Sequence, residues 1–263
     1  MSGPPPQASA RSDMIVVAET AWPEEDGILS SPSLTARGVV AGFTARRLGS
    51  MGGRATPPDE AGMHRKALAT RLGFDDVVRV KQVHGDTVVR AEGPFATWPE
   101  ADAMWTDRPG VLLGVVAADC VPILIADDAG RIGAAHAGWE GTSREVARRL
   151  VQTLCDAGAD PARMVAALGP SIGPCCYTIG EERAALIRER GGSGPASLIE
   201  RDGSFIFDLW QANAIQLGLE GVVPIEIAGV CTKCGGRDLW SYRGRDEGEA
   251  GTGLGVGFIG RRS

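Results

Sequence analysis

Residues Val111–Ala126 read VLLGVVAADCVPILIA, and this stretch decides the fold class. Val111 to Asp119 and Val121 to Ala126 are continuous apolar runs with no alternation. Runs of that kind belong to strands covered on both faces. Asp127-Asp128-Ala129-Gly130 then reads as a hairpin turn, and Ile132 to Ala137 as its partner strand. The break in the first run, Asp119-Cys120, raises a chemical question. So does the end of the second, Ala134-Ala135-His136-Ala137-Gly138-Trp139. A chain with only 6 Cys and 3 His places one of each where a buried strand ends.

Working outward, strands are expected at Val16-Val17, Val39–Phe43, Asp76–His84, Thr87–Val89, Met164–Leu168, Val222–Ala228 and Leu254–Ile259. Asp76–His84 alternates, with Val77, Val78, Val80 and Val83 apolar, and Gly85-Asp86 turns it into a returning strand. Helices are expected after Pro57-Pro58-Asp59-Glu60, with Met63, Ala67, Leu68 and Leu72 on one face, and over Glu181–Arg190 and Leu209–Leu217. Thr142-Ser143-Arg144-Glu145 fits a capping box that opens a further helix with Val146, Leu150, Val151 and Leu154 on one face. Strands and helices do not alternate strictly, so an α+β domain of mixed sheets fits better than a Rossmann or TIM layout. No internal repeat or linker divides the chain. A single domain over 14–263 is expected, behind a disordered tail of residues 1–13, MSGPPPQASARSD.

The totals exclude several function classes. A net charge of −6 gives no general surface for nucleic acid or anionic membrane, since counterion release needs a basic face. No apolar run approaches the ~20 residues that span a bilayer. The start lacks the apolar core of a secretory signal, and six Cys then favour free thiols or metal ligands over disulfides. The expected compartment is the cytoplasm and the expected state a monomer.

Three segments end a strand in a soft ligand beside a small residue: Gln82-Val83-His84-Gly85, Ala118-Asp119-Cys120-Val121 and Ala135-His136-Ala137-Gly138. Two His and one Cys suit a catalytic zinc, which takes three protein ligands and keeps one position for water. Asp119 or Asp86 is placed to orient an imidazole. The same atoms also fit a Cys120 nucleophile with His136 as base and Asp119 orienting it, and ordinary core packing; spacing does not separate these. Cys231-Thr232-Lys233-Cys234 with Cys175-Cys176 offers four thiolates for a structural zinc, although adjacent cysteines seldom share one ion, and plain buried thiols are the alternative. Gly169-Pro170-Ser171-Ile172-Gly173-Pro174 bends enough to turn amide N–H groups toward an anion, or to be a simple turn. Ser241-Tyr242-Arg243 places a donor, an aromatic ring and a guanidinium together. Trp105, Trp139 and Trp240 read as core residues.

Taken together, KQVHGDTVV (81–89), ADAMWTDRPGVLLGVVAADCVPILIAD (101–127), AAHAGWEGT (134–142), GPSIGPCCYTIGEE (169–182) and CTKCGGRDLWSYR (231–243) resemble the ordered motifs of one family. It is the YfiH-like laccase-domain, or multicopper polyphenol oxidase, family, also described as purine nucleoside phosphorylases. The resemblance implies an αββα-like arrangement of sheets between helices. It implies a catalytic zinc on His84, Cys120 and His136. It implies phosphorolysis of adenosine, inosine, guanosine and 5′-methylthioadenosine, adenosine deamination, and a link to editing of peptidoglycan precursors. The substrates would be a purine nucleoside and phosphate, with Arg65, Arg243, Ser241, Gly169 and Ser171 as phosphate- or substrate-binding candidates. Copper is discounted, because one Cys and two His cannot build several copper sites. The chain departs from the family at Glu140, where an Arg is usual, at Leu254, the end of a blurred TGR, and at Thr44–Ser50 and His64-Arg65. A Glu140 carboxylate facing the pocket would repel phosphate; at a helix start it would be neutral to it. Arg46, Arg47, Arg65 and Arg243 are the cations available to compensate. A cell-wall amide hydrolase and a zinc-stabilised partner protein without activity are the competing functions.

Overall fold

The computed structural model describes residues 17–236, 238–245 and 251–263, so the expected tail over 1–13 lies outside the described residues. Two mixed sheets lie face to face. One has seven strands in the order Val17–Glu19, Ile225–Ile227, Val165–Leu168, Val121–Ala126, Ile132–Ala137, Ala103–Thr106, Val88–Arg90. The other has six, in the order Glu24–Glu25, Ile28–Ser30, Val40–Thr44, Gly255–Gly260, Leu112–Ala117, Val77–Val78.

The apolar runs are continuous because every face is covered. Along Val121–Ala126, Ile123 and Ile125 pack on one side with Leu150, Val151, Leu154 and Leu217 of the helices Val146–Asp156 and Leu209–Leu219. Leu124 and Ala126 face the other way and meet Phe43, Leu113, Val115 and Ile259 of the six-stranded sheet. The far side of that sheet, with Leu112, Val116 and Phe258, is covered by Leu68, Ala69 and Leu72 of helix Pro58–Leu72. The layers are therefore helix, sheet, sheet, helix, as the α+β expectation requires. Each fully buried Leu, Ile or Phe in these layers contributes ~1.5–3 kcal/mol of transfer free energy. A small three-stranded sheet, Thr178–Ile179, Ser204–Phe207 and Leu198–Arg201, is not hydrogen-bonded to either but packs Ile179 and Phe207 into the core of the first.

Several elements differ from the sequence expectation. Only Val77–Val78 of the 76–84 stretch pairs as a strand, and it joins the six-stranded sheet. The expected returning strand, Val88–Arg90, instead runs parallel to Ala103–Thr106 in the other sheet. The 79–87 segment thus crosses between sheets, which is why its alternation does not make a strand. The capping box at Thr142–Glu145 does not form. A short helix, Trp139–Ser143, comes first, and Glu145 at φ 62° breaks the chain before Val146–Asp156. Thr142 is buried, and its hydroxyl and carbonyl accept from Asn213 Nδ2 (3.0 Å) and Gln216 Nε2 (2.8 Å), so it is not free to cap. On the helix Pro58–Leu72, Met63 is exposed and Ala61 and Ala69 take inward positions beside Leu68 and Leu72.

Candidate metal centre

The strand register brings the ligands together. Ala137 of Ile132–Ala137 pairs with Val121, so His136 lies at the last turn of that ladder, and Cys120 directly precedes its partner strand. His84 arrives on the segment that crosses between sheets. The donor atoms of His84, Cys120 and His136 all lie within 4.8 Å of one another. The two imidazoles meet edge to face, their centroids 4.8 Å apart. Gly138 makes this approach possible: a Cβ there would stand 2.9 Å from Cys120 Sγ and 3.2 Å from His84 Cδ2. The backbone at Gly138 is an ordinary extended one, so the need is for space and not for conformation.

Two buried carboxylates hold the ligand turns. His84 sits at φ 62°, a left-handed conformation costly for a non-glycine residue. Asp102 accepts from the backbone N–H groups of Val83 (3.1 Å), His84 (3.0 Å) and Gly85 (2.6 Å), fixing that turn, and from His136 Nδ1 at 2.9 Å. Asp119, at φ 90°, is held in the same way. It accepts from Thr232 Oγ1 (2.6 Å), Ser241 Oγ (2.7 Å) and the Arg243 N–H (2.7 Å). The residue that orients an imidazole is therefore Asp102. Asp119 secures the Cys120 turn instead, and Asp86 pairs with Arg149 at the surface.

Burial pushes the Asp102 carboxyl up, but the bond from His136 and the N–H groups of Gly85 and Val83 outweigh it and hold the group below the usual carboxylate range. Asp102 thus stays ionised and takes the Nδ1 proton of His136 in a hydrogen bond, so that Nε2, once its own proton is released, is the atom that would face a ligand. Burial raises the Cys120 thiol as well, yet the neighbouring imidazoles of His136 and His84 bring it down to about 6. His136 moves the other way: burial lowers it, and the charges and hydrogen bonds of Cys120 and Asp102 raise it to about 10. Sulfur and nitrogen together form an anion-bearing donor set, two imidazoles and a thiolate, which matches zinc in type and number. Three donors serve a single ion and cannot supply the several centres of a multicopper enzyme.

The trio lies in the floor of a cavity of about 990 Å³. Trp98, Trp139, Tyr177 and Tyr242 line its walls, with Arg54, Arg79, Arg183 and Arg243. Arg79 is only 9% exposed. It donates to the Met51 carbonyl at 3.2 Å and lies over the Trp98 ring, while its Nε has no partner. No carboxylate pairs with it among the described residues. Burial, and then the neighbouring Arg65, lower its pKa to about 10, so it remains charged at neutral pH.

Of the phosphate and substrate candidates, only Arg243 lines this cavity. Arg65 is not among the lining residues; it lies over the Trp98 ring beside Arg79 and donates to the same Met51 carbonyl. Ser241 donates to Asp119 and opens on a neighbouring cleft. Ser171 is fully buried and accepts from Trp210 Nε1 at 2.6 Å, and Gly169 packs under Pro122, where a Cβ would come within 2.8 Å. Arg46 and Arg47 are engaged by Asp238 and Glu24. Glu140 points away, bound to Arg144 (2.9 Å) and Arg190 (3.5 Å), so it is a helix-start residue and does not confront an anion in the cavity. Leu254 does line the wall. Trp139, expected in the core, packs against it with one side and faces the cavity with the other.

The model of the family described as multi-copper polyphenol oxidoreductase laccase matches residues 53–262. The chain belongs to this family. A protein of Deinococcus radiodurans named purine nucleoside phosphorylase is 40% identical over 236 residues, 85% of this chain and 89% of its own. Purine nucleoside phosphorylase YfiH of Escherichia coli is 30% identical over 226 residues, 84% of this chain and 90% of its own. The crystal structure of YlmD from Geobacillus stearothermophilus superimposes with a TM-score of 0.81 at 30% identity, covering 94% of this chain and all of that one. Asp102, bonded to His136, and Arg79, in the cavity wall, are site residues that spacing in the sequence does not point to. An aspartate between Ala101 and Ala103, at the edge of an apolar segment, was the available signal for the first.

Proposed function

We propose that the chain is a zinc-dependent purine nucleoside phosphorylase. One observation supports this above the others: the His84, Cys120, His136 trio and the carboxylate-free guanidinium of Arg79 open into the same aromatic-walled cavity. A buried cation without an anionic partner is costly unless its ligand brings the charge. Phosphate, with about two negative charges near neutral pH, is such a ligand. Arg54, Arg183 and Arg243 add cations to the same walls, and Trp98, Trp139, Tyr177 and Tyr242, each with a guanidinium over its ring, add aromatic surface suited to packing against a purine.

In the reaction, a phosphate oxygen forms a bond to ribose C1′ as the bond from C1′ to the purine nitrogen breaks. The electron pair goes to the purine, which then takes a proton. Arg79 and Arg243 hold the nucleophile and spread its charge. His84, Cys120 and His136 would hold the zinc, and Asp102 keeps His136 in the tautomer that offers Nε2. When bound, zinc supplies Lewis-acid polarisation and an acidified water, the chemistry that adenosine deamination also needs. The substrates would be adenosine, inosine, guanosine and 5′-methylthioadenosine.

Purified protein is incubated with adenosine, with and without phosphate. Adenine and ribose 1-phosphate appearing only with phosphate support the reading, and inosine marks the deaminase activity. Neither product from metal-loaded protein would overturn it. A second reading follows from the lowered thiol: Cys120 as a nucleophile with His136 as its acid, acting on an amide such as that of a peptidoglycan precursor. A covalent adduct on Cys120 in metal-free protein, with no nucleoside turnover, would favour it.

A further inference from the structure

A second cluster lies outside the cavity. Cys175, Cys176, Cys231 and Cys234 bring four Sγ atoms within 4.8 Å of one another. Cys175 and Cys234, far apart in sequence, are 3.4 Å apart at sulfur. A zinc with four thiolates at ~2.3 Å has sulfur edges of ~3.8 Å, within that spread. The adjacency of Cys175 and Cys176 is accommodated because the chain turns tightly there: the N–H groups of Cys176 and Tyr177 both donate to the Gly173 carbonyl. The Cys231–Cys234 turn is equally specialised. Gly235 N–H donates to the Cys231 carbonyl at 2.8 Å, and a Cβ on Gly235 would come within 2.5 Å of that oxygen. Gly173 N–H donates to Cys231 Sγ at 3.3 Å, a bond that favours thiolate.

We infer that these four cysteines form a structural zinc site, separate from the His84, Cys120, His136 centre. Four soft donors around one point select zinc over harder divalent ions. The site joins two loops that build the cavity wall. Ile172 and Tyr177 come from the first, and Tyr242 and Arg243 from the second. Thr232, between the paired cysteines, donates to Asp119, so the zinc also braces the turn that presents Cys120. Ile172, Tyr177 and Cys231 already anchor these loops in the core, and the ion would tie the exposed Cys175 and Cys234 ends together.

The test is metal content by mass spectrometry on protein purified with a reductant. Wild type should carry two zinc ions, Cys120→Ala one, and Cys231→Ser with Cys234→Ser one. Alkylation footprinting of wild type reads the same site if the double variant fails to fold. Cys175 and Cys234 are exposed and should react slowly as purified, then rapidly after chelation, while half-buried Cys155 reacts alike in both. A single zinc that is lost in Cys120→Ala would overturn the assignment. So would rapid alkylation of Cys175 and Cys234 before chelation, a disulfide between them, or iron–sulfur absorption in place of zinc.

Discussion

Asp102 and His136 are both buried, and Oδ1 of the one accepts from Nδ1 of the other at 2.9 Å. The same carboxylate accepts three backbone N–H groups from the turn that carries His84. One side chain thus orients two of the three donors. Asp102→Asn should weaken zinc binding at this centre by roughly 10–100-fold, the usual effect of removing a partner behind a ligating imidazole. Competition against a chromophoric chelator measures it. An unchanged affinity would mean that strand register alone positions His136.

Gly138→Ala tests the space under the ligands. Its methyl would meet Cys120 Sγ at 2.9 Å and the His84 ring at 3.2 Å. Zinc occupancy at this centre and turnover should both fall sharply, while the far-ultraviolet circular dichroism stays that of wild type. Full occupancy in the variant would show that the two ligand turns yield easily.

How much of this was legible in the sequence follows from how local each signal is. His84, Cys120 and His136 could be read because each ends an apolar run with a side chain that such runs do not need. The layers could be read because Val111–Ala126 has no polar face. Asp102 was not legible, since its partner His136 lies 34 residues away and only the pairing of Ala103–Thr106 with Ile132–Ala137 joins them. Arg79 looked like the polar position of an alternating strand. Its backbone leaves the sheet after Val78, so its side chain turns into the protein. The adjacency of Cys175 and Cys176 counts against a shared ion in the sequence, and the turn over Gly173 brings both sulfurs to the cluster all the same.

Asp119 should prove structural. Its φ of 90° is held by three hydrogen bonds to one carboxylate. Asp119→Ala removes both acceptor oxygens and with them three hydrogen bonds, and with charge-assisted bonds worth ~1.5–3 kcal/mol each and partial compensation by water, a loss of ~2–4 kcal/mol is expected in urea unfolding. Asp119→Asn keeps an acceptor and should recover part of that loss. Equal stability of all three proteins would remove Asp119 from the account.

Arg79→Met should raise the phosphate concentration for half-saturation by about tenfold or more, since a charge-assisted contact contributes ~1.5–3 kcal/mol. Glu140→Arg should leave it unchanged, because that carboxylate is paired with Arg144 and Arg190 outside the cavity. Initial rates of adenine release against phosphate concentration distinguish the two. A reversed pattern would move the phosphate site to the start of the Trp139–Ser143 helix.

Remetallation shows whether zinc on His84, Cys120 and His136 supports phosphorolysis. Metal-stripped protein is titrated with zinc while adenine release from adenosine is followed in phosphate. Activity should be absent at first, rise as the ion binds and then plateau, and never appear in Cys120→Ala. Equal adenine release by metal-stripped protein, or a Cys120→Ala variant as active as wild type, would show that it does not.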